Sequence, residues 1–181
     1  NTCYTERDDK FGGGPGIWIA EDKNIDNTYC FNLLFDSCEF LYNHSPTNGG
    51  VINFGDNSTL QSIELTFKYC SFVRNSCDGD CGGAIFIGNN KNCFILECEF
   101  RDNFCGGNGK TLYITGNSTN VIISKCTFLN SKPGNGSQIY IDCNSSVEIS
   151  SAAFQSYDPG CKSRAIELTD GSLNVHHTFF V

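Results

Sequence analysis

Phe40, Phe72, Phe100, Phe128, Phe154 and Phe180 follow one another at intervals of 32, 28, 28, 26 and 26 residues, and the positions before them keep the same rhythm. Seven, five and two residues ahead of each phenylalanine the rows read Leu33, Phe35, Cys38; Leu65, Phe67, Cys70; Cys93, Ile95, Cys98; Val121, Ile123, Cys126; Val147, Ile149, Ala152; and Leu173, Val175, Thr178. Several positions repeating together at such an interval mark a stacked architecture, because one repeat cannot bury its apolar face alone. A second register lies between the phenylalanines: Ile17-Trp18-Ile19, Ile52-Asn53-Phe54, Ile85-Phe86-Ile87, Leu112-Tyr113-Ile114, Ile139-Tyr140-Ile141 and Ile166-Glu167-Leu168. Each alternates inward, outward, inward, the period of a strand with one buried face, and no helical period competes with it.

Short strands joined by Gly, Asn, Asp and Ser turns predict an all-β fold. We expect a right-handed, single-stranded parallel β-helix (a β-solenoid) of about six three-strand coils of 26–32 residues. Residues 1–16 read as an irregular N-terminal segment and 17–181 as stacked coils of a single domain, whole or excised from a longer solenoid. Equivalent residues should then sit one strand spacing apart, about 4.8 Å, giving a rod about 30 Å long. Cys38, Cys70, Cys98 and Cys126 form one column, and its continuation by Ala152 and Thr178 says that the position takes a small buried side chain.

Disulfides are expected in the turns instead. Cys77 and Cys105 each follow a ruler phenylalanine by five residues, which places their Cα atoms near the roughly 4.4–6.8 Å window of a bridge. Cys3 with Cys30 and Cys143 with Cys161 are suggested by proximity along the chain alone.

Composition narrows the setting. Twelve lysines and arginines against 20 acids leave a net charge of −8, which repels phosphate backbones and anionic lipid, so neither nucleic acid nor a membrane surface is an expected partner. No apolar stretch reaches the roughly 18 residues of a membrane span, so no direct membrane insertion is expected. Twelve cysteines without a CxxC pair favour an oxidising compartment over a zinc site. Sequons at Asn43, Asn57, Asn117, Asn135 and Asn144 point the same way, to a secreted or cell-surface glycoprotein. The chain carries no signal peptide and no methionine, and is read as a processed product or an excised segment.

Gly49-Gly50-Val51-Ile52 and Gly82-Gly83-Ala84-Ile85 alternate with Phe40-Leu41-Tyr42-Asn43, Phe72-Val73-Arg74-Asn75 and Phe100-Arg101-Asp102-Asn103. This alternation resembles the GGAI and FxxN repeats of chlamydial polymorphic outer membrane proteins, which have relatives among protist surface proteins. The match is clearest over residues 38–105; beyond it Phe128-Leu129-Asn130-Ser131 and Gly136-Ser137-Gln138-Ile139 keep the rhythm and lose the letters. The resemblance implies a β-helical adhesin displayed at a cell surface, with other surface proteins, glycans or copies of itself as partners. An autotransporter also needs a membrane β-barrel, which is not among these residues, and the cysteines and sequons fit a eukaryotic surface protein at least as well. Physically, the glycines permit a tight turn into the strand, and a repeated asparagine can stack its amide into a ladder.

Chemistry is sparse. Polysaccharide lyases and hydrolases need carboxylates that converge on one cleft, or a calcium-bound acid cluster. Asp8-Asp9, Asp78-Gly79-Asp80 and Asp142 fall at different points of different coils, Arg164 has no acid in its row, and His176-His177 lies at one end. With histidines only at 44, 176 and 177, a Cys–His or Ser–His pair could form only at a rod end. The chain reads as non-enzymatic, with no catalytic residue, cofactor or metal expected; a carbohydrate-active enzyme ranks behind two other readings.

The leading reading is an adhesin. The outward residues Trp18, Phe86, Tyr113 and Tyr140 form a candidate partner-binding stripe, against the alternative that the rings merely stack on one another. Glycans on Asn57, Asn117 and Asn144 would share one edge, whereas Asn43 cannot both join a turn ladder and carry a sugar. The second reading is a filament subunit stacking head-to-tail, because the chain ends in the apolar run His176-His177-Thr178-Phe179-Phe180-Val181 without a polar cap.

Overall fold

The computed structural model describes residues 17–19, 31–54, 63–88, 92–116, 120–130, 136–156 and 164–181. The protein is a parallel β-solenoid, and no helix occurs among the described residues. The ruler phenylalanines lie in the strands Glu39–Leu41, Ser71–Val73, Glu99–Arg101, Thr127–Asn130, Ala153–Ser156 and Phe179–Phe180, which form one parallel sheet in sequence order. Their rings stack at 4.8, 4.7, 4.9, 4.7 and 5.3 Å with interplanar angles of 17° or less. Those separations match the strand spacing, so a period along the chain has become a column in space.

The other two faces meet in one larger sheet. One face contains Phe31–Asp36, Ile63–Lys68, Asn92–Leu96 and Asn120–Ser124; the other contains Ile17–Ile19, Ile52–Phe54, Ile85–Ile87 and Leu112–Thr115. They are joined by two long strands, Ser137–Ser150 and Arg164–His176, each of which runs through both faces. Pairing between these two strands shifts register on either side of Asp142, which lets the chain turn without leaving the sheet. The expected alternation holds in the middle of the rod: Leu65, Phe67, Cys93, Ile95, Val121, Ile123, Val147 and Ile149 are buried, as are Ile85, Ile87, Leu112, Ile114, Ile139 and Ile141.

Two expectations are refined. The solenoid has about four full turns, and six strands are reached only by counting the edge strands of the phenylalanine sheet, which have one neighbour each. A winding also has more than three strands. After the phenylalanine strand, His44–Ser45 pairs with Ser76–Cys77, and a single bridge from Ser76 to Phe104 extends this short sheet.

The corners carry a device that the letters conceal. Ser37, Tyr69, Glu97, Lys125, Ser151 and His177, each three residues before a ruler phenylalanine, all have φ between 50° and 55°. This left-handed conformation costs a non-glycine residue about 1 kcal/mol, and no single residue type recurs to announce it. All six side chains are exposed, so identity is free at the position. Peptide N–H groups from Ser37 to Ser151 donate to the carbonyls of Lys68, Leu96, Ser124, Ser150 and His176 in the next winding, at 2.9–3.1 Å. A second left-handed set, Tyr42, Arg74 and Asp102, turns the chain after the phenylalanine strand.

Directly after that second turn comes the asparagine of FxxN. Asn43 Nδ2 donates to Asn75 Oδ1 at 2.9 Å, and Asn75 Nδ2 to Asn103 Oδ1 at 3.0 Å. The same oxygens accept from the backbone N–H groups of Asn43 and Asn75, and Asn75 and Asn103 also donate to the carbonyls of Phe40 and Phe72. Asn43 is buried in this ladder, so a glycan on its Nδ2 would need room at a position only 6% exposed. The GGAI glycines are equally structural. Gly49 and Gly82 have φ of 70° and 69°, and a Cβ on Gly83 would stand 2.1 Å from the Lys110 carbonyl oxygen.

Asn75→Ala should lower unfolding free energy by about 3 kcal/mol, because it strands the buried N–H and Nδ2 of Asn43 and the Phe40 carbonyl. Urea denaturation of this variant beside Arg74→Ala, whose exposed side chain contacts Tyr42 and Asp102 and whose loss should cost at most about 1 kcal/mol, checks it.

Candidate functional site

The outward column of the second register pairs Trp18 with Asn53, Asn53 with Phe86, Phe86 with Tyr113, Tyr113 with Tyr140 and Tyr140 with Glu167. The side chain of Trp18 lies outside the described residues. Phe86 stacks on Tyr113 at 5.6 Å and Tyr113 on Tyr140 at 5.0 Å, with interplanar angles of 17° and 26°. Phe86 is only 5% exposed. This corrects the expected stripe in two ways. Its first described ring is covered, Tyr113 is stacked on both faces, and Tyr140 is stacked on Tyr113 on one face with Glu167 next in the column. A ladder of this kind stiffens the sheet and offers little face for a sugar ring.

Around the Tyr113 hydroxyl, however, polar groups do gather. Tyr113 Oη donates toward Asp142 Oδ2 at 3.5 Å with Cys81 nearby, while Thr169 Oγ1 donates to Asp142 Oδ1 at 3.0 Å. Burial, then the neighbouring Cys81 and the charge of Asp142, holds the Tyr113 phenol above its ordinary value, so it remains a donor. Burial likewise pushes the Cys81 thiol up to about 11, with Asp80 and Asp142 adding to the rise and the Tyr113 hydroxyl opposing it. Asp80 and Asp142 therefore bear on the same thiol, where residue offsets alone placed them on no common face. The fold connects them through the bridge from Cys81 to Asn108, a corner absent from the period-two pattern.

The other acids and bases form surface pairs. His44 approaches Asp78 at 3.3 Å and Ser76 at 3.1 Å, Arg164 reaches Glu167 at 3.0 Å within its own strand, and His176 lies 3.4 Å from Glu148. His177 occupies a left-handed corner. Exposed pairs of this kind contribute at most about 1 kcal/mol each. Asp8 and Asp9 lie outside the described residues, and no group of three metal-ligating side chains occurs among those described.

The expected cysteine column is present. Carbonyls of Cys38, Cys70, Cys98, Cys126 and Ala152 accept in turn from the N–H groups of Ser71, Glu99, Thr127, Ala153 and Phe179, at 2.9–3.0 Å. Within it the thiols donate to backbone carbonyls, Cys70 to Phe35 and Lys68 at 3.3 Å, Cys98 to Leu96 at 3.2 Å and Cys126 to Ile95 and Ser124 at 3.3 Å. Cys77 and Cys105 also meet, 3% and 1% exposed, with their side chains hydrogen-bonded; both are thiols, so the expected bridge is a contact rather than a bond in this structure. Cys3, Cys30 and Cys161 lie outside the described residues, as does the side chain of Cys143. Among the sequons Asn144 is exposed, and Asn57, Asn117 and Asn135 lie outside the described residues.

Sequence reasoning passed over Lys110, which is 1% exposed with no partner for its Nζ among the described residues. The signal was its place: it stands where Gly50 and Gly83 stand in earlier repeats, next to the left-handed Gly109. No family model matches the chain, and neither a curated protein nor a solved structure matches it.

Burial raises Cys93 from 9.0 to about 12. A raised folded pKa means that the unfolded chain loses this proton first, so stability is intact below pH 9 and falls as pH climbs toward 12. In the reduced protein Cys93→Ala should flatten that decline by about 1.4 kcal/mol per pH unit, measured by urea unfolding at pH 8, 9.5 and 11.

Proposed function

We propose that this chain is a non-enzymatic extracellular structural or adhesive protein presenting a rigid β-helical rod. One observation carries the reading: the residues that repeat face inward or turn corners, while the outward positions change from winding to winding. The phenylalanines stack, the FxxN asparagines form the ladder, and the paired glycines allow the close approach of neighbouring windings. Outside, the second register runs Asn53, Phe86, Tyr113, Tyr140, Glu167 in a single column. A scaffold constant within and variable without suits display, because contacts can be altered without disturbing the core.

The resemblance to chlamydial polymorphic outer membrane proteins supports adhesion from the same motifs. The exposed sequon at Asn144 and the twelve cysteines support a secreted or cell-surface glycoprotein. Its contact face is the patch of Tyr113, Tyr140 and Asp142, which recognises a protein or glycan through hydroxyl and carboxylate hydrogen bonds rather than by ring stacking. Immobilised full-length chain should retain soluble glycans or intact cells, and Tyr113→Ala with Tyr140→Ala should weaken retention at least ten-fold while far-UV circular dichroism is unchanged. Equal retention by the double variant would remove the patch from the reading; no retention of any glycan or cell would remove adhesion.

A head-to-tail filament is the second reading. Phe180 stacks on Phe154 on one side only, and Phe179, Phe180 and Val181 are 70%, 57% and 83% exposed. An uncovered parallel edge of this composition accepts another strand, from a further winding or from a second copy. Concentration-dependent fibres in negative stain favour the copy; a monodisperse mass by light scattering across the same range excludes it.

A further inference from the structure

We infer that three disulfides, Cys38–Cys70, Cys77–Cys105 and Cys98–Cys126, staple the solenoid, one at each junction between the windings of Phe40, Phe72, Phe100 and Phe128. The inference rests on the extracellular reading for its oxidising surroundings, and on three features of the structure for its pairing.

The first is distance. The hydrogen bonds from Ser71 to Cys38, from Glu99 to Cys70 and from Thr127 to Cys98 hold consecutive members of the column one strand apart. That spacing, about 4.8 Å, lies inside the window for bridged Cα atoms, about 4.4–6.8 Å. Cys77 N–H donates to the Phe104 carbonyl at 3.1 Å, which sets Cys77 beside Cys105 in the same manner.

The second is parity. In a column of four, backbone register sets each inner cysteine one strand from a neighbour on either side, Cys70 between Cys38 and Cys98, and Cys98 between Cys70 and Cys126. Joining Cys70 to Cys98 would strand Cys38 and Cys126 three strand spacings apart, about 14 Å, beyond any bridge. Complete pairing therefore joins Cys38 to Cys70 and Cys98 to Cys126. This leaves the junction between the Phe72 and Phe100 windings without a staple in that column, and it is there that the second column places Cys77 against Cys105.

The third is reactivity. Cys105 and Cys126 are held below the ordinary thiol value, first by the hydrogen bond from the neighbouring thiol, and for Cys105 also by the charge of Lys110. Their partners Cys77 and Cys98 are raised. While the windings are still open, one thiolate of each pair (Cys105, Cys126, and either member of Cys38–Cys70) attacks a small-molecule disulfide and releases one small thiolate. The partner sulfur then attacks the mixed disulfide, and a second small thiolate leaves. Two electrons pass to the oxidant, and two protons to solvent. Cys93 stacks between Leu65 and Val121, with no cysteine in its column, so it remains a thiol, and among the described residues Cys81 faces Tyr113.

The test refolds the full chain from urea and reductant into a mixture of reduced and oxidised glutathione. Residual thiols are blocked with N-ethylmaleimide, and the protein is digested without reduction for tandem mass spectrometry. The three linkages with the label on Cys93 are expected, and Cys77→Ser should lose one linkage, expose Cys105 to the label and retain the other two. A Cys70–Cys98 linkage, or label on all six paired positions, overturns the inference. The same mapping on protein from its native source separates the two readings. Linkages after refolding, with thiols in the native protein, defeat the extracellular placement and uphold the pairing; an extracellular protein whose refolded form lacks the linkages does the reverse.

Discussion

The whole molecule follows from the requirement that each winding lie over its neighbour with the same residue at the same place, one parallel strand spacing away. That spacing suits the thickness of a stacked aromatic ring, the reach of an amide hydrogen bond and the contact of two sulfur atoms. Each inward column is therefore a run of like side chains, whether phenylalanine, asparagine or cysteine. Like charges in one column repel, and the outward column of the phenylalanine sheet alternates Glu39, Ser71, Glu99, Thr127. Asp142 does stand over Asp170, at the place where the long strands shift register. Opposite charges also pair across windings, as with Glu97 and Lys125 at 3.5 Å.

Turning the chain three or more times per winding is harder than stacking it. Strained corner residues are tolerated because each is locked on both sides by the windings it joins, so the hydrogen bonds of the sheet offset the local cost. Since the strained side chain points into solvent, corners accept tyrosine, glutamate, lysine, serine and histidine alike. These corners were not legible beforehand: glycine and asparagine are the usual signs of a left-handed residue, and neither marks this position.

The candidate contact face was half legible. Tyr113 and Tyr140 stand in register as their spacing implies, but spacing along a column does not tell whether ring faces are open or stacked, and it hid the burial of Phe86. The convergence of Asp80 and Asp142 on Cys81 depends on neighbouring columns meeting around a corner, where a residue count gives no distance. The cysteines lie between these cases. Their column was evident, while the hydrogen bonds that fix its register one strand apart needed the fold.

By itself the amino-acid sequence determined the parallel winding, the inward columns and the alternation of buried and outward residues. Those are periodic properties, and a period survives projection onto one dimension. The tertiary structure decided how many turns are complete, that Asn43 belongs to a buried ladder, and which outward rings remain open. Each of these is a question of what covers a side chain from another column, and cover is a distance across the fold.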